Sequence, residues 1–530
     1  MTGDVTSPED YSAWFAKFAA GPGGTSLSPR GWQVELAQDH TPRSRLIRIP
    51  TGDGKTLGVF GAWLYHRLER ADDRWPRRLV WTLPMRVLVE QTAEEVRKCL
   101  DRLGLLWQPG TDRHGKVGVH ILMGGSDQSG EWNLYPEEPA VLVTTQDMAL
   151  SRALNRGYAS GRARWPMEFG LLNQDALWVM DEVQLMDVGL ATSAQLQAFR
   201  DEDQDKALRP CYTWWMSATL QPVWLRSVDT ASYYDRWVAL PCKVPSAQRT
   251  GGLWDVRKTL ETSVVAQGDS RAFAKLVLDE HAKLVPGEFG RITLVVCNTV
   301  KRACETFDSL QDAGRQDGLE LVHGRFRPFE RSDWRQRFLS REVCIAGADR
   351  IIVATQVVEA GVDISAGCLI TELAPWSSLV QRFGRCARYG GSGTVIVVDR
   401  WVPKKDGDER SAASAAPYGP ADLQAAWEEL PSLADAGVAA LEVHEESLSP
   451  EHRARLYPYS PRHLLMRREF DELFDTTPDL TGADLDISRF IRSGDERDLQ
   501  VFWLDVAEDE SPADTRRPQR EELCALPFLQ

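Results

Sequence analysis

Two adjacent carboxylates, Asp181 and Glu182, follow the apolar run Ala176, Leu177, Trp178, Val179 and Met180. A buried strand ending in two acids can present a ligand for a divalent cation beside a base that polarises water. The bland alternative is an ordinary strand leading into an acidic turn. About 125 residues earlier, TGDGKT (51–56) lies between the apolar stretch RLIRIP and a segment of helical pattern. Glycines there let backbone N–H groups wrap an anion, and the N-terminus of the following helix adds positive potential. Thr51, Gly52, Asp53 and Gly54 form the cradle. Lys55 is placed to reach the β- and γ-phosphates of a nucleotide, and the Thr56 hydroxyl to bind Mg²⁺. The pattern G-x-x-x-x-G-K-[ST] has glycine where this chain has Ile49.

A third constellation is QRFGRCAR (381–388), with Arg382, Arg385 and Arg388 at i, i+3 and i+6. A helix over this stretch puts the three on roughly one face. Such a face is costly unless an anion lies opposite. Carboxylates on a solvated surface would serve. So would a triphosphate held between two domains, with Arg385 and Arg388 as arginine fingers and Gln381 supporting the γ-phosphate or the water. The phosphate loop and the acidic pair together have the layout of a P-loop nucleoside triphosphatase. In it Thr56 and Asp181 hold Mg²⁺, ATP is bound, and Glu182 orients and deprotonates the attacking water.

The elements that must position these residues follow one rhythm. Short apolar runs alternate with helical segments: RLIRIP (45–50), LVWTLP (79–84), VGVHILMGG (117–125), AVLVTT (140–145), ALWVMDEVQ (176–184) and CYTWWMSATL (211–220). Strands of this kind are buried on both faces of a parallel sheet, which gives an α/β domain. A second series follows in RITLVV (291–296), LELVHGRF (319–326), DRIIVATQVVEAGVDIS (349–365, strand–loop–strand) and GTVIVVD (393–399), with a helix beginning in LVQRFGRCARYG (379–390). The expected divisions are an entry segment over 1–30 with a short helix in YSAWFAKFAAG and a first α/β domain over 31–235. A connector over 236–260 leads to a second α/β domain over 261–402, then a polar linker over 403–422. An acidic accessory region over 423–530 has a strand at LQVFWLDV (499–506).

Composition bounds the function classes. A 530-residue chain with 43% hydrophobic and 26% charged residues is an ordinary globular sequence of several domains. The net charge of −15 argues against a protein that coats nucleic acid non-specifically. The acid is uneven: residues 401–530 carry 14 Lys+Arg and 28 Asp+Glu, while residues 1–400 carry 48 and 49 and have room for a local basic groove. No apolar run approaches the ~20 residues of a membrane span. The acidic N-terminus, MTGDVTSPEDYSAWF, has no signal-peptide pattern, and the nine cysteines form no CxxC pair. A cytoplasmic protein with no membrane association is expected.

As an ordered set the motifs resemble the superfamily 2 helicases over roughly residues 29–400. TGDGKT is similar to their first motif and LPMRVLVEQT to the next. VTTQDM is similar to the later groove motif, DEVQ to the acidic box and SAT (217–219) to the coupling motif. VVCNTV, ATQVVEAGVDI and QRFGRCAR are similar to three motifs of the second domain, and Gln33 in PRGWQ to an adenine-reading glutamine. The resemblance implies two tandem RecA-like parallel-sheet domains plus a mixed C-terminal accessory domain. It implies nucleic-acid contacts at Arg86, Gln91, Thr145, Thr299, Thr355 and Gln356, with coupling through Ser217, Thr219 and Asp363. Asp363 is assigned to the ribose or to the arginines.

A narrower resemblance is to the helicases of type I CRISPR interference. It is carried by TQVVEAGVDIS with APWSSLVQRFGRCAR, by LFDTTPDLTGADLDISRFIR (473–492), and by Gln184, where a His or Asp is usual. The I-U or I-G branch fits best. The likeness implies an ATP-driven motor that is recruited by a guide-RNA surveillance complex after R-loop formation. That motor pulls the displaced single-stranded DNA through itself 3′ to 5′ and unwinds the target. These helicases usually couple to a nuclease built on a His-Asp dipeptide. None occurs in this sequence, so a nuclease is expected on another domain or subunit and DNA cleavage by this chain alone is not. An RNA-directed helicase and a non-catalytic helicase-like adaptor are the alternatives.

Smaller signals have plainer readings. Most of the 19 tryptophans, Trp81, Trp178, Trp214 and Trp215 among them, are expected in the core. Trp376, beside Pro375, is a candidate base-stacking platform. Asp475, Asp479, Asp484 and Asp486 suit turn capping better than a metal site. Arg467 and Arg468 are expected on a solvated face.

Overall fold

The computed structural model describes residues 10–21, 26–124, 131–331, 333–402, 412–475, 485–494, 498–504 and 516–527. Asp479 and Asp484 lie outside the described residues, as do residues 403–411 of the expected linker over 403–422; its described part contains the helix Ala412–Ala415 and the start of the helix Pro420–Glu429. The chain divides into two compact units. Unit 1 contains residues 1–248 and 459–493, and unit 2 contains 249–458 and 494–530.

Unit 1 is built on β1 (Arg45–Arg48), β2 (Arg78–Leu83), β3 (Gly118–Leu122), β4 (Ala140–Thr145), β5 (Ala176–Asp181), β6 (Cys211–Met216) and β7 (Cys242–Lys243). The seven lie in the order β3-β4-β2-β5-β6-β1-β7, and every pairing is parallel. Strands β2, β4 and β5 are buried at all six positions, which explains their unbroken apolar runs. Asp181 pairs with Met216 and Ile47 pairs with the same Met216. The phosphate loop and the acidic pair therefore leave the sheet at one edge, the carboxyl ends of the strands. Trp81, Trp178, Trp214 and Trp215 are buried in this unit, as expected.

Unit 2 repeats the architecture with β8 (Arg257–Val264), β9 (Arg291–Val296), β10 (Leu319–Val322), β11 (Asp349–Ala354), β12 (Cys368–Glu372) and β13 (Ser392–Asp399). Their order is β10-β11-β9-β12-β13-β8, again all parallel. Two tandem α/β parallel sheets are what the alternating runs implied.

Several elements depart from the sequence reading. The expected connector over 236–260 contains β7 and the start of β8. The latter is an edge strand with only one of eight positions buried, so it carries charge instead of an apolar run. The helix Ser270–Lys283 follows it and is likewise absent from the sequence reading. The strand expected in GVDIS is not formed; a 3-10 turn, Gln356–Val358, follows β11 instead, and the next strand is β12. Strand β10 stops at Val322, short of Phe326. The expected accessory region over 423–530 is split, because residues 459–493 return to unit 1. There Leu465, Phe470, Leu473, Ile487, Phe490 and Ile491 join the core under β5 and β6. The strand near 499 spans Asp498–Val501 and pairs antiparallel with Cys524–Pro527 in unit 2.

Candidate active site

The helix Lys55–Leu64 starts directly from Gly54, whose φ of 76° belongs to the left-handed region where only glycine is at ease. Its first N–H groups have no partners within the helix and form an anion-binding end. Two residues from an upstream helix, Gly31–Gln38, brace the loop. The Gln33 amide donates to the Gly54 carbonyl at 2.9 Å and accepts the Arg30 N–H at 2.8 Å. Trp32 packs so tightly on Gly58 that a Cβ there would meet its ring at 2.3 Å. The Trp32 indole N–H donates to Asp53 Oδ2 at 3.1 Å, and Arg30 pairs with Oδ1 at 2.9 Å. Burial pushes the Asp53 carboxyl up against these two partners. The Asp53 side chain is thus committed to the bracing helix. Thr51, Gly52 and Gly54 lie in the same turn and Thr56 in the first turn of the helix, with Asp53 N–H bonded to the Pro50 carbonyl at 3.3 Å.

Across the loop, Lys55 Nζ meets Glu182 Oε1 at 2.8 Å. Asp181 Oδ2 accepts the Trp81 indole N–H at 3.1 Å, and Oδ1 accepts the Glu182 N–H at 2.9 Å. Burial pushes the Asp181 carboxyl up to about 6, opposed by the Lys55 ammonium. Glu182 turns the chain with φ 53° and ψ 47°. Its second oxygen, Oε2, accepts from Gln184 Nε2 at 2.7 Å. Gln184 Oε1 in turn accepts from the Ser217 hydroxyl. Ser217 Oγ also accepts the Thr219 N–H at 3.0 Å, and Ser217 N–H donates to Ile47 at 3.1 Å. Lys55, Glu182, Gln184, Ser217 and Thr219 are one connected hydrogen-bond path at the sheet edge. The sequence marks Gln184 only as a departure and Trp81 only as a core residue, and it gives Trp32 and Arg30 no role; a tryptophan in an apolar run gives no sign that its N–H will meet a carboxylate.

The loops after β2 and β4 leave the same edge. Arg86 and Gln91 lie on the helix Arg86–Arg102, with the Arg86 guanidinium beside Gly124. Thr145 is the N-cap of the helix Gln146–Ala153.

In unit 2 the helix Trp376–Phe383 ends before Arg385 and Arg388, so the one-face reading of the three arginines does not hold. Gly384 closes the helix and Ala387 takes a φ of 43°. Arg382 is fully buried, and its anion is Glu359 at 2.8 Å, with Asn298 and Thr371 also accepting. Arg385 donates to the carbonyls of Val358, Glu359 and Val362, tying down the turn after β11. Arg388 pairs with Asp363 at 3.0 Å. Gln381 is buried and its Oε1 finds no hydrogen-bond partner. Thr299 caps the helix Val300–Asp312, Thr355 is buried at the end of β11, and Gln356 donates to the Asn298 carbonyl at 2.6 Å. Trp376 is 1% exposed and packs near His444, so it offers no face to a base. In unit 1, Arg467 bridges Glu202, Asp203 and Asp471, whereas Arg468 pairs with Glu472 on the surface. Among the described residues no group of three or more His, Cys, Asp and Glu could hold a metal ion, and no helix is long and apolar enough to cross a membrane.

Known proteins resemble this chain in sequence and in fold. Residues 33–227 match the DEAD/DEAH box helicase family, and residues 289–391 match the C-terminal family of the CRISPR-associated nuclease/helicase Cas3. The first match is thus to the wider helicase family and the second to the Cas3 one. The CRISPR-associated helicase Cas3 of Thermoproteus tenax is 27% identical over 372 residues, covering 67% of this chain and 55% of that protein. The Cas3 nuclease/helicase of Haloferax volcanii is 24% identical, covering 75% and 50%. The chain thus spans about half the length of these relatives. The crystal structure of T. fusca Cas3 with AMPPNP superposes with a TM-score of 0.59 at 18% identity, covering 84% of this chain and 54% of that one. At that identity the likeness is one of fold, and it supports the RecA-like character of both sheets.

Proposed function

We propose that this chain is the ATP-driven motor of a type I CRISPR interference system, translocating on single-stranded DNA and unwinding target DNA. Its partners are then the displaced strand of an R-loop and the guide-RNA surveillance complex. The observation that carries this is the path from Lys55 through Glu182 and Gln184 to Ser217 and Thr219. A phosphate-loop lysine, a general base and a coupling motif are hydrogen-bonded in series in a chain that matches a helicase family in its first half and a Cas3 family in its second.

The donor set suits Mg²⁺. The Thr56 hydroxyl and the Asp181 carboxylate are hard oxygen ligands of the kind this ion takes, and they would hold it. When bound it would neutralise charge on the phosphates. The rest falls to the chain. A triphosphate seated on Gly52, Gly54 and the helix N-terminus draws the Lys55 ammonium to itself. Glu182 Oε1 is then released, while Oε2 stays oriented by Gln184. With the Lys55 contact given up, the Glu182 carboxylate can accept a proton from water. Loss of the γ-phosphate returns Lys55 to Glu182. Gln184 carries that change to Ser217 and Thr219 at the end of β6. In unit 2, Gln381, Arg385 and Arg388 are assigned to ATP turnover, and Asp363 to holding Arg388. Arg86, Gln91, Thr145, Thr299, Thr355 and Gln356 are assigned to phosphate and sugar contacts, which carry no sequence information and suit a motor.

The test is ATP hydrolysis measured without nucleic acid and with single-stranded DNA, duplex DNA and single-stranded RNA of matched length. Single-stranded DNA should stimulate most. Equal rates in all four would remove the motor, and a preference for RNA would reassign its track.

A further inference from the structure

Residues 485–493 reach unit 1 and end on two loops of the sheet edge described above. Arg492 Nε donates to Asp147 Oδ1 at 2.6 Å and Nη2 to Oδ2 at 2.9 Å. The same Nη2 donates to the Pro84 carbonyl at 3.2 Å. Pro84 follows β2 and Asp147 follows β4, neighbouring strands of the sheet. The approach is anchored on both sides. Gln146 donates to the Ile491 carbonyl at 3.1 Å, Thr192 donates to the Phe490 carbonyl, and Ser493 N–H donates to Asp187 at 3.2 Å. Ile491 and Phe490 are buried, yet the Arg492 side chain is 49% exposed. A rigidly delivered guanidinium therefore stands half in solvent across two loops at the carboxyl ends of parallel strands. That is the edge where open α/β sheets bind their ligands.

We propose that Arg492 is a phosphate contact for a single nucleic-acid strand, and that Asp147 occupies it as a stand-in until a strand arrives. This rests on the nucleic-acid reading above. The chemistry is that of the fork: the parallel pair of N–H donors that grips a carboxylate also matches two phosphate oxygens. A half-exposed ion pair contributes little net stability, so exchanging one anion for another costs little. The Pro84 carbonyl keeps the guanidinium plane in place while the anion changes. Arg86, beside Gly124 on the next loop outward, would extend the same basic line.

The exchange makes two variants act in opposite directions. Binding of fluorescent oligo(dT) and oligo(rU) would be followed by anisotropy over a range of salt concentrations, with thermal melts to confirm folding. For Arg492→Ala, affinity should fall several-fold and the slope of log K against log salt should shrink by about 0.7, the value for one phosphate on a single strand. For Asp147→Asn, which frees the arginine, affinity should rise. Arg492→Lys should restore the slope but only part of the affinity. If the pair were purely structural, Asp147→Asn and Arg492→Ala would weaken binding alike, and that outcome overturns the proposal. An unchanged slope in Arg492→Ala overturns it too. Should the wild-type chain bind neither oligonucleotide, the nucleic-acid reading itself falls and takes this inference with it. The two probes tell DNA from RNA as the source of the phosphate.

Discussion

Glu182 holds a left-handed backbone, a conformation that costs a residue with a side chain roughly 1–2 kcal/mol. The turn aims one carboxylate oxygen at Lys55 and the other at Gln184. Glu182→Gln keeps the shape and removes the proposed base. ATP should still bind, while phosphate release falls by a hundredfold or more; turnover at the wild-type rate would rule Glu182 out as the base. Gln184→Leu breaks the path between base and Ser217. A hydrogen bond of about 0.5–1.5 kcal/mol sets the scale, so stimulation by single-stranded DNA should drop up to about tenfold. Basal hydrolysis should change less, and equal losses in both would mean that Gln184 does not couple. Lys55, Asp181 and Glu182 were legible in the sequence because each sits in a short local pattern at a strand end. The partners of Asp53 and Asp181 were not, since Trp32 and Trp81 are 21 and 100 residues away from them.

The elements were legible where burial is uniform. Strands β2, β4 and β5 show themselves as apolar runs because both faces are covered. Strand β8 has no such run because an edge position leaves it mostly solvated. The start of the helix over 376–383 is legible but its end is not, since that depends on Gly384 and on Arg385 reaching back to carbonyls after β11. That end separates two kinds of arginine. Removing Arg382 leaves Glu359 buried without its cation, a loss of about 3–5 kcal/mol. Arg382→Ala should therefore lower Tm by roughly 6–20 °C in calorimetry. Arg388→Ala breaks a pair whose acid, Asp363, is 48% exposed. Tm should shift little, and ATP turnover should fall. Equal melting shifts in the two variants would show Arg388 to be structural as well.

On the scale of the molecule, two parallel-sheet units in series were visible from the repeated rhythm of runs. The return of residues 459–493 was not, because their apolar residues are sparse and lie between acidic stretches. Nothing local says which sheet they will cover. Once folded they complete unit 1: Gln195 donates to Leu465 and Thr192 to Phe490, both from the helix Val188–Glu202. A chain ending at Pro458 should lose amide protection in that helix under hydrogen exchange. Full protection there would mean that the returning segment is ornamental. The same connectivity sets an order of events during synthesis. Unit 1 begins at the N-terminus, but its last core residues emerge only after all of residues 249–458. At about 5–20 residues per second that interval lasts on the order of 10–40 s. Throughout it, the apolar seat for Phe470, Phe490 and Ile491 is open on a nascent chain, so the first sheet to be made is among the last to be sealed.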